Sequence, residues 1–148
     1  MTPRPVRNNN PGDLETGAPW RGLMPDEDMT EAQKHERFAV FQSPAWGFRA
    51  LLKVLQNYQK LHGLDTVRKM VARFAPPNEN NTQQYANFVA DEMQIGADDK
   101  LNIFDAKTAF AAAKAFTKME TGGWEPFWHD KDLKFGMSLA GYDLGESA

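Results

Sequence analysis

The stretch "DAKTAFAAAKAFTKMETGGW" (Asp105–Trp124) decides how this chain folds and where its chemistry lies. Asp105 is a strong N-cap residue, most of the residues after it favour helix, and Gly122-Gly123 ends the run. On a wheel turning about 100° per residue, Phe110, Ala113, Phe116 and Thr117 share one arc, and Glu120 projects into the middle of it. A glutamate on the apolar face breaks the pattern of a core-facing helix. Held there, its carboxyl loses water and sits at the negative end of the helix dipole, and both effects raise its pKa. Such a group is a proton donor near neutral pH, as glycosidic bond cleavage requires. The alternative is that Glu120, in the last turn, frays outward into water.

The residues after Glu120 favour the first alternative. Gly122 and Gly123 let a bulky ligand approach the backbone. Trp124 and Trp128 carry flat apolar faces that stack on sugar rings, although packing in the core is the commoner use of a tryptophan.

Working outward from this helix, apolar periodicity predicts three more long ones. The first is capped by Ser43, starts at Pro44, turns Phe48, Leu51, Leu52, Leu55 and Tyr58 inward, and ends at Gly63. The second is capped by Asp65 or Thr66, carries Val67, Met70, Val71 and Phe74, and stops at Pro76-Pro77. The third starts at Thr82, after a "PNENN" loop, with Tyr85, Phe88, Val89 and Met93 on one side. A short helix is expected over Asp132–Leu139. "RFAVF" (Arg37–Phe41) reads as a short strand. The expected architecture is a single mainly α domain over residues 1–148, with a small β-hairpin or irregular region near the N-terminus.

Composition narrows the function. A net charge of −3 with scattered lysines and arginines gives no electrostatic pull toward nucleic acid. No apolar run is long enough to span a membrane, and the N-terminus lacks the apolar core of a secretory signal. With no cysteine there are no disulfides or thiolate metal sites, and His35, His62 and His129 lack metal-ligand spacing. No metal or cofactor is expected, and the chain is expected to be a monomer.

The N-terminal "RNNNPGDLE" (Arg7–Glu15) suits neither helix nor strand, since Asn8 to Asp13 all favour turns or a left-handed backbone. It places three amide side chains on one loop.

Together these pieces resemble the lysozyme-like superfamily. A helix ending in Glu-[Ser/Thr]-Gly-Gly is similar to the catalytic-acid motif of lytic transglycosylases and of glucosaminidases related to flagellar peptidoglycan hydrolases. "NNNPGDL" (Asn8–Leu14), "WRG" (Trp20–Gly22), "RFAVFQSPAWGFRAL" (Arg37–Leu51) and "FAPPNENNTQQYANFV" (Phe74–Val89) are similar to other segments of those enzymes. Here the acid-bearing helix comes last rather than first, as in a circular permutation, which chains tolerate where termini are close at the surface. Residues 4 to about 105 also resemble phage lysins, and some phage structural proteins, that open with RNNNPG(N/D).

The resemblance implies a phage enzyme that cleaves peptidoglycan glycan strands, as a muramidase or a lytic transglycosylase, with Glu120 as general acid. It would reach the periplasm through a holin-type pore or travel in the virion. Asn8, Asn9, Asn10, Asp13, Trp20, Asn80, Tyr85 and Trp124 are then candidate substrate contacts. Each asparagine has a structural alternative as a turn or cap, and Tyr85 also fits the core face of its helix. A second carboxylate is sought among Asp13, Glu15, Asp28 and Glu36, of which Glu36 lies roughly where the related glucosaminidases place one; it equally suits an exposed charged run. The other functional class left open is a non-catalytic virion or peptidoglycan-binding protein of the same fold.

Overall fold

Pro44–His62 is the longest helix among the described residues. The computed structural model describes residues 2–75 and 79–145, with the backbone alone for residues 79 and 80. In chain order the helices are α1 (Arg4–Arg7), α2 (Glu31–His35), α3 (Pro44–His62), α4 (Val67–Phe74), α5 (Glu79–Met93), α6 (Ala106–Thr121) and α7 (Asp130–Leu139). Helix α3 packs most extensively along α7, while α5 lies between α4 and α6. Their shared core holds Phe48, Leu51, Leu52, Leu55, Met70, Val71, Phe116, Leu133 and Met137. The mainly α expectation holds.

Local signals explain most boundaries. Pro44 opens α3 and Gly63 closes it with a left-handed backbone. The Thr66 side chain, not that of Asp65, caps α4 by accepting from Lys69 N at 3.2 Å. Asp105 caps α6 through Thr108 N at 3.0 Å, and Gly122 ends it at φ 92°. Ser43 occupies the N-cap position of α3 but makes no side-chain cap bond. Helix α5 begins at Glu79, earlier than its asparagines suggest, because packing against α4 and α6 outweighs their weak helix preference. Its buried face is Tyr85, Ala86, Val89 and Ala90, whereas Phe88 is exposed. Pro76 and Pro77 lie outside the described residues.

The region before α3 is irregular, and the expected strand at Arg37–Phe41 reduces to two isolated antiparallel bridges, Glu15 to Phe38 and Leu23 to Phe41. Turns at Gly17 and Gly22, both with positive φ, break the opposing segment, so no ladder extends. A small second cluster, Ala39, Phe41 and Ala50 flanked by Leu14, Trp20, Leu23 and Trp46, glues this region to α3. Among the described residues no helix is long and apolar enough to cross a membrane.

Candidate active site

The asparagine loop is a backbone clamp. Asn10 is fully buried; its Nδ2 donates to Leu14 O at 3.0 Å and Ala39 O at 2.9 Å, and its Oδ1 accepts from Leu14 N at 3.0 Å. Asn9, with φ 52°, donates to Phe41 O at 3.0 Å. Asn8, also fully buried, donates to Glu36 Oε2 at 2.9 Å. Asn9 and Asn10 thus do for this segment what a β ladder would do, Asn8 is tied to Glu36, and the amide donors of all three are engaged within the protein. The expectation that they contact substrate is corrected: in a segment with so little regular structure, buried backbone groups must find side-chain partners. Asn10→Ala leaves two carbonyls and an amide short of their partner and is expected to cost about 2 kcal/mol, read by urea unfolding.

The clamp sets Asp13, which has φ 49°, at the mouth of a cleft. Helix α1 lies against α6 and brings Arg4 to the same place. Arg4 holds both oxygens of Asp13, Nε to Oδ1 at 3.1 Å and Nη2 to Oδ2 at 2.6 Å, while its guanidinium lies 3.6 Å from the centre of the Phe38 ring. Its pKa is raised, chiefly by the hydrogen bond to Asp13.

Glu120 faces this pair. Its Oε2 accepts a 2.7 Å hydrogen bond from the Tyr85 hydroxyl, and its side chain lines a cleft of about 730 Å³ together with Arg4, Asp13, Trp20, Phe38, Tyr58 and Phe74. Burial is the main cause that lifts its pKa from 4.5 to about 7; the Tyr85 bond opposes the rise, Asp13 adds to it, and Arg4 opposes it. Glu120 therefore does not fray into open solvent. Tyr85 is buried, and its hydroxyl is kept protonated first by desolvation and then by the neighbouring carboxylate. It is a partner of the acid rather than a surface for sugar. Tyr85→Phe removes a bond that favours the charged form, so the basic limb of any Glu120-dependent pH–rate profile is expected to move to higher pH.

Two other expectations are corrected. Glu36 is spent on Arg7, 3.2 Å from Nη1, and on Asn8, and it does not line the cleft. Besides Glu120, the carboxylates that do are Asp13 and Glu15, the latter paired with Arg37 at 3.1 Å. Trp124 is 8% exposed, lies 5.7 Å from Phe48 ring to ring, and borders a separate hollow with Lys114, Trp128 and His129. After Gly122 the chain turns away from the face that carries Glu120, so Trp124 and the acid do not share a site. Trp20 lines the cleft, and the Asn80 side chain lies outside what is described. Arg4, Phe38, Tyr58 and Phe74 were not singled out as site residues by sequence. Arg4 sits between two prolines with no periodic context, and the three aromatics fit core patterns equally well.

No family model matches the chain. A relative does: protein P5 of Pseudoalteromonas phage PM2 is 34% identical over 143 residues, which cover 94% of this chain and 82% of that protein. The chain belongs to the P5 family. A bacteriophage connection for this P5-family protein rests on that relative.

Proposed function

We propose that this P5-family protein cleaves the glycan strands of peptidoglycan, with Glu120 as the proton donor. The observation that carries this is a carboxyl with a pKa of about 7, held by Tyr85 in an open cleft opposite an arginine-clamped aspartate. In its protonated form, which a pKa of about 7 keeps substantially populated at neutral pH, Glu120 gives its proton to the glycosidic oxygen as the bond to the anomeric carbon breaks. Positive charge then grows on the sugar ring, and the Asp13 carboxylate across the cleft stabilises it. Trp20, Phe38, Tyr58 and Phe74 supply apolar faces for sugar rings.

Asp13 has both oxygens bound by the Arg4 fork, which leaves it poorly disposed to activate water or attack carbon. This favours a single-acid reaction in which a hydroxyl of the substrate bonds the anomeric carbon and gives its proton to the Glu120 carboxylate left by the first step, as in a lytic transglycosylase of lysozyme-like, permuted topology. Mass spectrometry of muropeptides released from purified sacculi tests it. Anhydro ends are the expected result; reducing ends would assign the capture to water and make the protein a hydrolase. A folded protein that releases nothing would reduce it to a virion or wall-binding component.

A further inference from the structure

Arg21 and Arg49 both lie over the Trp46 ring, at 5.4 and 6.0 Å from its centre. Arg4, Arg7, Arg37 and Arg68 each pair with a carboxylate; among the described residues Arg21, Arg49 and the cleft-lining Arg73 do not, and of these only Arg21 and Arg49 share one ring. The Nε of Arg49 is buried and has no hydrogen-bond partner among the described residues either. Burial, and next the charge of Arg21, lower the Arg49 pKa. Two like charges around one ring, neither paired with a carboxylate among the described residues, make an arrangement that an anion would stabilise.

The position is fixed in advance. Gly22 has φ 83°, and a Cβ there would overlap the Trp46 ring, so the turn after Arg21 sits directly on the indole. Gln42 N donates to Gly22 O at 2.8 Å, and Gln42 Nε2 to Leu23 O at 3.0 Å, which ties the turn to the start of α3. Trp20, which lines the cleft, and Trp46 flank the same small apolar cluster, and Arg21 follows Trp20 in the chain.

We propose that Arg21, Trp46 and Arg49 form a carboxylate-binding subsite beside the cleft, which takes the free carboxylates of the peptide stems borne by a glycan strand. The choice of ligand rests on the proposed function; the site itself rests on the unpaired guanidiniums. A guanidinium offers parallel N–H donors that match a carboxylate, and Trp46 gives the stem an apolar surface.

Calorimetry on the Glu120→Gln protein tests this without turnover. The probes are a disaccharide-tetrapeptide muropeptide and the same compound with its carboxylates amidated. The native probe is expected to bind on the order of tenfold more tightly. Arg21→Gln, at an exposed position, and Arg49→Lys, which keeps charge and stem but loses the fork, should each shrink that preference, and together remove it. No preference in the parent protein, or a preference that survives both changes, overturns the subsite. So does arginine-dependent binding to phosphatidylglycerol vesicles without binding to the muropeptide. Sacculi left uncut while the arginine-dependent preference persists would sink the catalytic reading and keep the subsite; cleavage without that preference would do the reverse.

Discussion

Glu120→Gln is expected to lower the rate of turbidity loss in chloroform-treated Gram-negative cells by on the order of a thousandfold, and to make the folded protein more stable at alkaline pH. The first effect follows because an amide of the same shape has no proton to give the leaving oxygen. The second follows from linkage. The folded protein keeps the Glu120 proton up to a pH of about 7, whereas the unfolded chain releases it near 4.5. Between those values the native state binds more protons than the unfolded state, so stability falls as pH rises through the window and levels off above it. The full loss is on the order of 3 kcal/mol. An amide at this position does not titrate and has no such loss. Urea unfolding at pH 4 and pH 8 should show the variant gaining on the wild type between the two. Equal pH dependence in both proteins would mean that Glu120 is not held in its protonated form, and the proton-donor proposal would fail with it.

Gly47→Ala is expected to cost about 3 kcal/mol, or roughly 10 °C in melting temperature. A Cβ at this position would overlap the Asn9 carbonyl oxygen and stand 2.6 Å from Pro11 Cδ. Neither neighbour is a flexible side-chain tip: one is backbone and the other a ring. The helix cannot retreat either, because Phe48 and Leu51 on its next turn are fully buried. The asparagine loop has to lift, and Asp13 lifts with it. Activity should therefore fall well below the melting temperature, which separates loss of the site from loss of the fold. Differential scanning calorimetry with a parallel sacculus assay reads both.

The helical frame was legible because its signals are local and periodic. Pro44, Gly63, Thr66, Asp105 and Gly122 mark ends by backbone and capping chemistry that depends little on tertiary context. Helix α2 carries a local signal too, the Thr30–Gln33 capping box, set in a polar stretch with no apolar periodicity. The misplaced Glu120 was legible for a similar reason, since helical period alone put it on the buried arc. The opposite wall was not. Asn8, Asn9 and Asn10 have the composition of a ligand-binding loop and of a self-bonded turn alike, and only the positions of Leu14, Glu36, Ala39 and Phe41 show which groups they meet. Arg4 reaches Asp13 and Phe38 through folding of the irregular region, a contact that no spacing rule anticipates. The place of Trp124 was hidden because adjacency to Glu120 in sequence says nothing about which way the chain leaves a left-handed cap.

The order Asn-Asn-Asn-Pro also bears on how the protein ages. An asparagine usually deamidates when the next residue's backbone nitrogen attacks the side-chain carbonyl and closes a ring. Asn10 makes three bonds in the clamp, and the nitrogen that follows it belongs to Pro11, which carries no hydrogen and is already fully substituted. Conversion to aspartate would turn a two-handed donor into a negative group facing two carbonyl oxygens. The proline closes the common route to that damage at the position where it would do most harm.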